Sequence, residues 1–227
     1  MIEEGMNYDI NLFPTPVRLV SVPQKYGKIC EFFEKQKHYS VGPNVSLYGS
    51  HSENTYVLDE PECKDFKEYI LKEVKKYNDE VLGYDVDGWT FSQTWISHKE
   101  PGESHIPHTH PNSIISGVFF YGHATEKTSV IEFHRPEACV GFNTILIQKK
   151  FNEKNPNTSK SFMIPFDAGK FILFPSFLHH GVPINNTDEV RKSISMNIIP
   201  KSGVGTKRGL SELLLTKKQS GGADGVS

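Results

Sequence analysis

The pattern of apolar and polar residues changes near residue 85. Upstream, apolar residues recur three or four positions apart over Tyr26 to Lys37 and over Glu62 to Val81. This spacing predicts two amphipathic helices. The Pro-punctuated run from Leu12 to Pro23 alternates roughly as a strand does, while Tyr39 to Leu58 has little periodicity and indicates a long loop or irregular strands.

From Trp89 onward, short runs of β-branched and aromatic residues are separated by Pro, Gly and Asn. Seven such runs are predicted strands: Thr90 to Ser97, Ile114 to Tyr121, Ser129 to His134, Thr144 to Phe151, Lys160 to Ile164, Lys170 to Phe174, and Lys192 to Ile199. This texture is typical of a barrel or jelly roll. The sequence therefore predicts a mainly β fold with flanking helices, a double-stranded β-helix of the cupin-like kind.

A chain of 227 residues is within the size of one domain, because a single core grows to roughly 250 residues before it splits. We expect three parts. Residues 1–85 form a helical and irregular flanking region packed on the core, and residues 86–200 form the β-helix core. Residues 201–227 form a partly disordered C-terminal tail, with a short docking helix over Leu210 to Leu215.

Composition excludes several classes of partner. The net charge is −2 and the 25 basic residues are scattered, so no nucleic acid partner is expected. No stretch approaches the roughly 20 apolar residues that span a bilayer, and the first nine residues hold no apolar leader, which predicts a cytoplasmic protein without membrane contact. Cys30, Cys63 and Cys139 lie far apart, which favours reduced thiols over disulfides or a zinc knuckle.

Most of the ten histidines fall between His98 and His180, and two of them form the unit Pro107-His108-Thr109-His110-Pro111. Residues two apart on an extended backbone project to the same face, so His108 and His110 can chelate one metal ion. A third ligand must come from a distant strand. His179 and His180 both qualify, since they follow a predicted apolar strand, and the adjacent Gly181 permits close backbone approach.

Two segments, Trp95 to Tyr121 and Gly169 to Asn197, resemble the 2-oxoglutarate/Fe(II) oxygenases found in bacteria and phages. In that family the second ligand strand reads FPSxLxHxV and an Arg-containing strand follows. The resemblance implies that His180, rather than His179, is a metal ligand. It also implies that Arg191, eleven residues later, binds the carboxylate tail of 2-oxoglutarate, a role that suits a bidentate guanidinium. Fe(II), 2-oxoglutarate and O₂ are the implied cofactors.

The order Ser97, Pro101-Gly102, Pro107-His108 is also similar to the aspartyl/asparaginyl β-hydroxylase pattern. That similarity implies that the Ser97 hydroxyl helps to hold the cosubstrate carboxylate. One departure concerns His110, because most of the superfamily has Asp or Glu at this position in a facial triad of two histidines and one carboxylate. Either all three histidines bind iron, or His110 lies outside the coordination shell and water completes it.

The resemblance implies a 2-oxoglutarate- and Fe(II)-dependent dioxygenase that hydroxylates its substrate and releases succinate and CO₂. The alternatives are a cupin-like isomerase or Zn hydrolase, for which Arg191 has no evident use, and a catalytically silent binding module. A small-molecule or an amino-acid or peptidyl substrate is expected, bound by loops at the barrel mouth. Trp95, Ser116 and Asn197 are further pocket candidates, and His98, His105, His123 and His134 are expected to be structural. The sequence does not determine the oligomeric state, and a homodimer is one possibility.

Overall fold

The computed structural model describes residues 12–40, 49–121, 130–135 and 159–215. Within these ranges the chain forms two antiparallel sheets and a small hairpin. The larger sheet has the order β1-β9-β6-β11-β4-β3-β2. Its strands are β1 (Arg18–Ser21), β2 (His38–Ser40), β3 (Ser50–Ser52), β4 (Trp89–Lys99), β6 (Ile115–Tyr121), β9 (Lys170–Pro175) and β11 (Arg191–Pro200). The smaller sheet has the order β5-β10-β7-β8, with β5 (His105–His108), β7 (Val130–His134), β8 (Ser161–Pro165) and β10 (His180–Val182).

The two sheets bury apolar side chains against each other. The larger sheet contributes Phe120 and Phe174, and the smaller sheet contributes Ile131 and Phe133, all at most 6% exposed. Phe133 meets Phe174 edge to face, with 5.1 Å between ring centroids. Aromatic side chains of this size fill the interior between two facing sheets. This architecture is the double-stranded β-helix, and the predicted fold class is confirmed.

Helices cover the outer face of the larger sheet. Helix α1 spans Ile29–Glu34, and helix α2 spans Lys64–Tyr77 and continues into a π-helical turn over Asn78–Leu82. The apolar residues of α2 that the periodicity singled out, Phe66, Ile70, Val74 and Tyr77, are all buried against the sheet in one cluster. The amphipathic spacing thus places α2 on the barrel.

Alternation along Gln93–Lys99 of β4 and Arg191–Asn197 of β11, up to a register shift between Asn197 and Ile198, decides which side chains face the interior. Lys99 is opposite Arg191 and Ser97 is opposite Ser193 in the antiparallel register. Their neighbours in sequence, such as Ile96 and Ile194, belong to the cluster on the helix side. Because successive side chains point to opposite faces, one face of each strand is apolar and the other carries polar groups into the barrel.

Between Tyr39 and Leu58 the described residues include the end of β2 and all of β3, which fits the second of the two alternatives, short strands. One expectation about a helix needs correction. The first helix is shorter than predicted, since a 3₁₀ turn over Gln24–Tyr26 precedes it and Gly27 separates the two.

The docking helix over Leu210 to Leu215 is wrong. Instead, β13 (Leu213–Leu214) pairs with β12 (Gly203–Val204). Between the two strands Leu210 has a φ of 52°. A left-handed backbone conformation at Leu210 does not continue an α-helix.

Other predictions lie outside the described residues, including the strand from Thr144 to Phe151, His123, Cys139 and the end of the tail. The boundaries at residues 85 and 200 stay predictions. Within the described part of the chain, no helix is long and apolar enough to cross a membrane.

Candidate metal and cosubstrate site

Three histidines from two chain segments converge in the smaller sheet and the loop beside it. His108 ends β5, His180 begins β10, and the two are direct partners in the register of the smaller sheet. His110 follows β5 and its backbone N–H donates to the Ser176 carbonyl at 3.1 Å. The candidate ligand nitrogens of the three side chains all lie within 4.8 Å of one another. We call these residues the histidine cluster.

Gly181 makes this convergence sterically feasible. A Cβ atom at position 181 would lie 2.8 Å from the His105 carbonyl oxygen and 3.1 Å from the Pro107 nitrogen. Contacts this short would separate β10 from β5. The close backbone approach expected at this glycine is therefore present, and it holds His180 against His108.

Backbone carbonyls fix the tautomers of two imidazoles. His108 Nδ1 lies 2.9 Å from the Ile106 carbonyl oxygen, and His180 Nδ1 lies 2.8 Å from the Leu178 carbonyl oxygen. A carbonyl only accepts, so each Nδ1 carries the proton and donates it, leaving each Nε2 with a free lone pair. Such carbonyl contacts are the usual way in which a protein orients metal-binding histidines.

The spacing within the cluster fits a transition metal. His110 Nε2 lies 3.2 Å from His180 Nε2. Ligands about 2.1 Å from a metal ion are separated by roughly 3.0 Å in octahedral and roughly 3.4 Å in tetrahedral geometry. The observed distance falls between these limits. His110 thus stands among the candidate ligands, at the position where related sites have a carboxylate.

Burial keeps the histidine cluster neutral. Desolvation, followed by repulsion from His108, lowers the pKa of His110 to about 4 and that of His180 to about 3. The pKa of His108 is also lowered, chiefly by burial. Only the neutral form of imidazole binds a metal ion, so the site is ready to bind one at any pH near neutrality.

A buried cation lies inside the barrel. Arg191 is 2% exposed, donates from Nη1 to Ser193 Oγ at 3.1 Å, and stacks over the Phe120 ring at 4.8 Å. Its Nε is buried without a hydrogen-bond partner. Burial lowers the pKa of Arg191 to about 9. A buried guanidinium with an unused donor is arranged to receive an anion.

Ser97 and Lys99 lie beside this guanidinium on β4. Lys99 is fully buried and donates from Nζ to Ser97 Oγ at 2.9 Å. Burial, and then the charge of Arg191, lowers the pKa of Lys99 to about 7. The sequence reasoning missed Lys99. The signal was available, because Lys99 is two residues after Ser97 and therefore shares its face of β4.

One narrow cavity joins the histidine cluster to Arg191. Its lining includes the three histidines, then Arg191, Ser97 and Ser193, and also Trp95, His105, Ser116 and the apolar residues Val118 and Ile131. Trp95 and Ser116 thus lie where the sequence placed them. Asn197 is buried, and its side-chain oxygen lacks a partner, but it is not part of this lining.

Of the other histidines, His105 and His134 lie on the smaller sheet and His98 lies on the larger one. His105 stacks on His108 with 4.4 Å between ring centroids, so it adjoins the cluster and is more than a remote structural residue. His98 lies on the helix side, where its Nε2 is 2.9 Å from the Tyr121 hydroxyl and its ring stacks on His38. His134 lies 3.7 Å from Glu132. The last two contacts fit the structural roles expected.

Comparison with known proteins agrees with this geometry. Residues 93–197 match the family model described as "Putative 2OG-Fe(II) oxygenase", and this range includes the histidine cluster, Ser97 and Arg191. No match was found among curated proteins.

Solved structures show the same fold. A 2OG-Fe(II) oxygenase family oxidoreductase from Burkholderia pseudomallei has 10% identity and a TM-score of 0.56, covering 80% of this chain and 84% of its own. The nogalamycin-biosynthesis epimerase SnoN, solved with Fe³⁺ and α-ketoglutarate, has 12% identity and a TM-score of 0.59, with coverage of 94% and 89%. A Pseudomonas putida prolyl-4-hydroxylase has 9% identity and a TM-score of 0.54, with coverage of 81% and 92%.

The structural likeness, at these identities, establishes the jelly-roll fold. The family match supplies the chemistry, and a cluster of three neutral imidazoles is a donor set that suits iron. The family match over residues 93–197, together with the fold and the donor set, supports a 2-oxoglutarate- and Fe(II)-dependent oxygenase.

Proposed function

We propose that this oxygenase hydroxylates a small-molecule, amino-acid or peptidyl substrate, and that His108, His110 and His180 hold its Fe(II). The observation that carries the assignment of ligands is their convergence within 4.8 Å at the open end of a cavity that leads to a buried guanidinium. When bound, iron and 2-oxoglutarate supply the oxidation: one atom of O₂ enters succinate as CO₂ is lost, and the other replaces a substrate C–H bond with C–OH.

The side chains of the chain itself bind and orient the cosubstrate. Arg191 pairs with the C5 carboxylate of 2-oxoglutarate through its unused Nε and an Nη donor, and the Ser97 hydroxyl contributes a further hydrogen bond. The apolar walls, Val118 and Ile131, exclude water and so strengthen that ion pair. The keto acid end then points at the histidine cluster. This arrangement leaves the barrel mouth for the primary substrate.

The choice of hydroxylation rests on a local pattern. Ser97, Pro101-Gly102 and Pro107-His108 resemble the aspartyl/asparaginyl β-hydroxylases, which favours an amino-acid or protein side chain as substrate. Solved proteins of the same fold include a prolyl-4-hydroxylase and an α-ketoglutarate-dependent epimerase. Product mass distinguishes these outcomes, because hydroxylation adds one oxygen atom and epimerisation leaves the mass unchanged.

The cellular setting is also part of the proposal. Cys30 and Cys63 are free thiols, which suits a reducing compartment and supports a cytoplasmic location. The scattered basic residues support a substrate other than nucleic acid. A homodimer is compatible with the sequence, and sedimentation would determine the oligomeric state.

The decisive experiment measures succinate and CO₂ formed from 2-oxoglutarate by the purified protein with Fe(II) in air, using pooled amino acids, peptides and metabolites as substrates. The wild-type protein should release both, coupled to a product that gains one oxygen atom. His108→Ala and His180→Ala should each lose iron binding and turnover. His179→Ala is the matched control, since His179 is adjacent to His180 but lies outside the cluster. Iron binding that persists in His180→Ala would contradict the ligand assignment.

A further inference from the structure

We propose that Lys99 is a second cation for the distal carboxylate of 2-oxoglutarate, acting beside Arg191. This inference rests on the proposed function and deepens it. Lysine is rarely buried without a reason, because removing an ammonium group from water is costly. Lys99 is nevertheless fully buried, in the interior of the oxygenase core. A specific task at this position explains the burial.

The register of the larger sheet places four polar side chains in a compact group. Lys99 is directly opposite Arg191, and Ser97 is directly opposite Ser193. Lys99 donates to Ser97 Oγ at 2.9 Å, and Arg191 donates to Ser193 Oγ at 3.1 Å. We call these four residues, two cations and two serines, the polar quartet. Three of them, all except Lys99, line the cavity that leads to the histidine cluster, and Lys99 reaches that cavity through Ser97.

The backbone beside the quartet is shaped to admit the lysine side chain. A Cβ atom at Gly49 would lie 2.7 Å from both Cδ and Nζ of Lys99. Gly49 also has a φ of 65°, a conformation that other residues rarely adopt. A side chain at position 49 would therefore collide with the His98 carbonyl oxygen as well as with the ammonium group. The start of β3 thus leaves room for Lys99 to fold back along β4 toward Ser97.

The Lys99 charge interacts with groups at both Arg191 and the histidine cluster. Arg191 contributes to lowering the pKa of Lys99, and Lys99 in turn contributes to lowering the pKa values of His105 and His108. The ammonium group is therefore close enough to act on both the guanidinium and the histidines.

Two adjacent buried cations repel each other, and a bound carboxylate relieves that repulsion. A carboxylate has two oxygens with about four acceptor sites in all. Arg191 Nε is a buried donor without a partner, so one oxygen can accept from Arg191 while the other accepts from Lys99 and the Ser97 hydroxyl. The quartet matches a distal carboxylate in charge and in number of donors. A ligand with a methyl group at that end would lose these contacts.

The test pairs a change in the protein with a change in the ligand. Binding of 2-oxoglutarate and of 2-oxopentanoate, which has a methyl group in place of the distal carboxylate, is measured by calorimetry on the Fe(II)-loaded protein under nitrogen. In Lys99→Met, 2-oxoglutarate should bind at least about tenfold more weakly, while 2-oxopentanoate should change by less than about twofold. Equal losses for both ligands would mean that Lys99 only supports the fold, and would overturn the proposal.

The matched control is Lys192→Met. Lys192 is the neighbour of Arg191 in sequence but faces the helix side, where it pairs with Glu34 at 2.7 Å. This variant removes one cation from the opposite face of the same sheet, and both ligands should bind as they do to the wild type. If Lys99→Met does not fold, Lys99→Gln, which is also neutral but keeps a polar end, provides the same comparison.

A second measurement separates this inference from the proposed function. Glutarate has two carboxylates but no keto group, so its binding to metal-free protein reports on the quartet without iron. Wild-type protein should bind glutarate and Lys99→Met should bind it at least about tenfold more weakly. Unchanged glutarate affinity would overturn the role of Lys99. Absence of succinate formation together with Lys99-dependent glutarate binding would instead contradict only the proposed oxidation.

Discussion

The neutral histidines predict that the metal-free protein loses stability as the pH falls from 7.5 to 5. His110, His180 and His105 have pKa values lowered by burial to about 4, about 3 and about 2, against an ordinary value of 6.5. Below pH 6.5 these residues take up protons in the unfolded chain but not in the folded one. Proton uptake therefore favours the unfolded state. The free energy of unfolding continues to decrease until the pH reaches the folded-state pKa values.

The magnitude follows from the size of the pH interval. Each such histidine costs about 1.4 kcal/mol of unfolding free energy per pH unit below 6.5, or about 2 kcal/mol at pH 5. Three of them would remove up to about 6 kcal/mol, which is comparable with the whole stability of many domains. Carboxylates contribute little above pH 5, since their ordinary pKa values are near 4. The histidines therefore dominate this interval.

The assay is urea unfolding of chelator-treated protein, followed by circular dichroism at half-unit steps from pH 7.5 to pH 5. Below pH 6.5 the unfolding free energy should fall with a slope of at least about three protons, because His98 and His51, whose pKa values burial also lowers to about 3 and about 4, add to the three histidines named above. His180→Gln, which cannot titrate, should reduce that slope by about one proton. A free energy that is constant down to pH 5 would refute the conclusion that the histidine cluster is buried in its neutral form.

Four further changes test other parts of the structure. Arg191→Met should weaken 2-oxoglutarate binding by about 100-fold, because a buried ion pair and its hydrogen bonds are lost, and binding within threefold of the wild type would disprove its role. His110→Ala should lower Fe(II) affinity by at least about tenfold if three imidazoles bind iron, and unchanged affinity measured by competition with a chelator would favour a two-histidine site completed by water. Gly181→Ala should also weaken Fe(II) binding, since the new Cβ would meet the His105 carbonyl at 2.8 Å, and iron content after dialysis measures the loss. Ile70→Ala in α2 should cost about 2 to 5 kcal/mol of unfolding free energy, and its Fe(II) affinity should stay unchanged because Ile70 lies on the helix side of the sheet.

Local patterns predicted much of the fold. Phe66, Ile70 and Val74 recur at helical spacing, and the helix that carries them is present over Lys64–Tyr77. The alternating strands were also recognised, with small errors at their ends: Thr90 to Ser97 was predicted where β4 spans Trp89–Lys99. Such segments are predictable because the spacing of apolar residues over a long segment distinguishes a helix from a strand.

Short strands escaped prediction because three or four residues are too few to show an alternating pattern. Strand β2 has three residues and is held by β3, and β5 contains Pro107 and reads as a turn when taken alone. The spacing of two residues predicted correctly that the side chains of His108 and His110 lie close together. The sequence could not place Lys99 opposite Arg191, because that pairing depends on the register between β4 and β11 rather than on any local motif.

The position of β5 at the edge of the smaller sheet has a consequence for how the site opens. This strand is held by β10 alone among the described strands, through a register that shifts between His180 and Val182, and Pro107 supplies no N–H for pairing. A metal ion shared by His108 and His180 would act as a cross-link that fastens this edge. Because a ligand that binds only the folded arrangement stabilises it, we expect the backbone amides of β5 to exchange more slowly with solvent in the iron-loaded protein than in the metal-free protein.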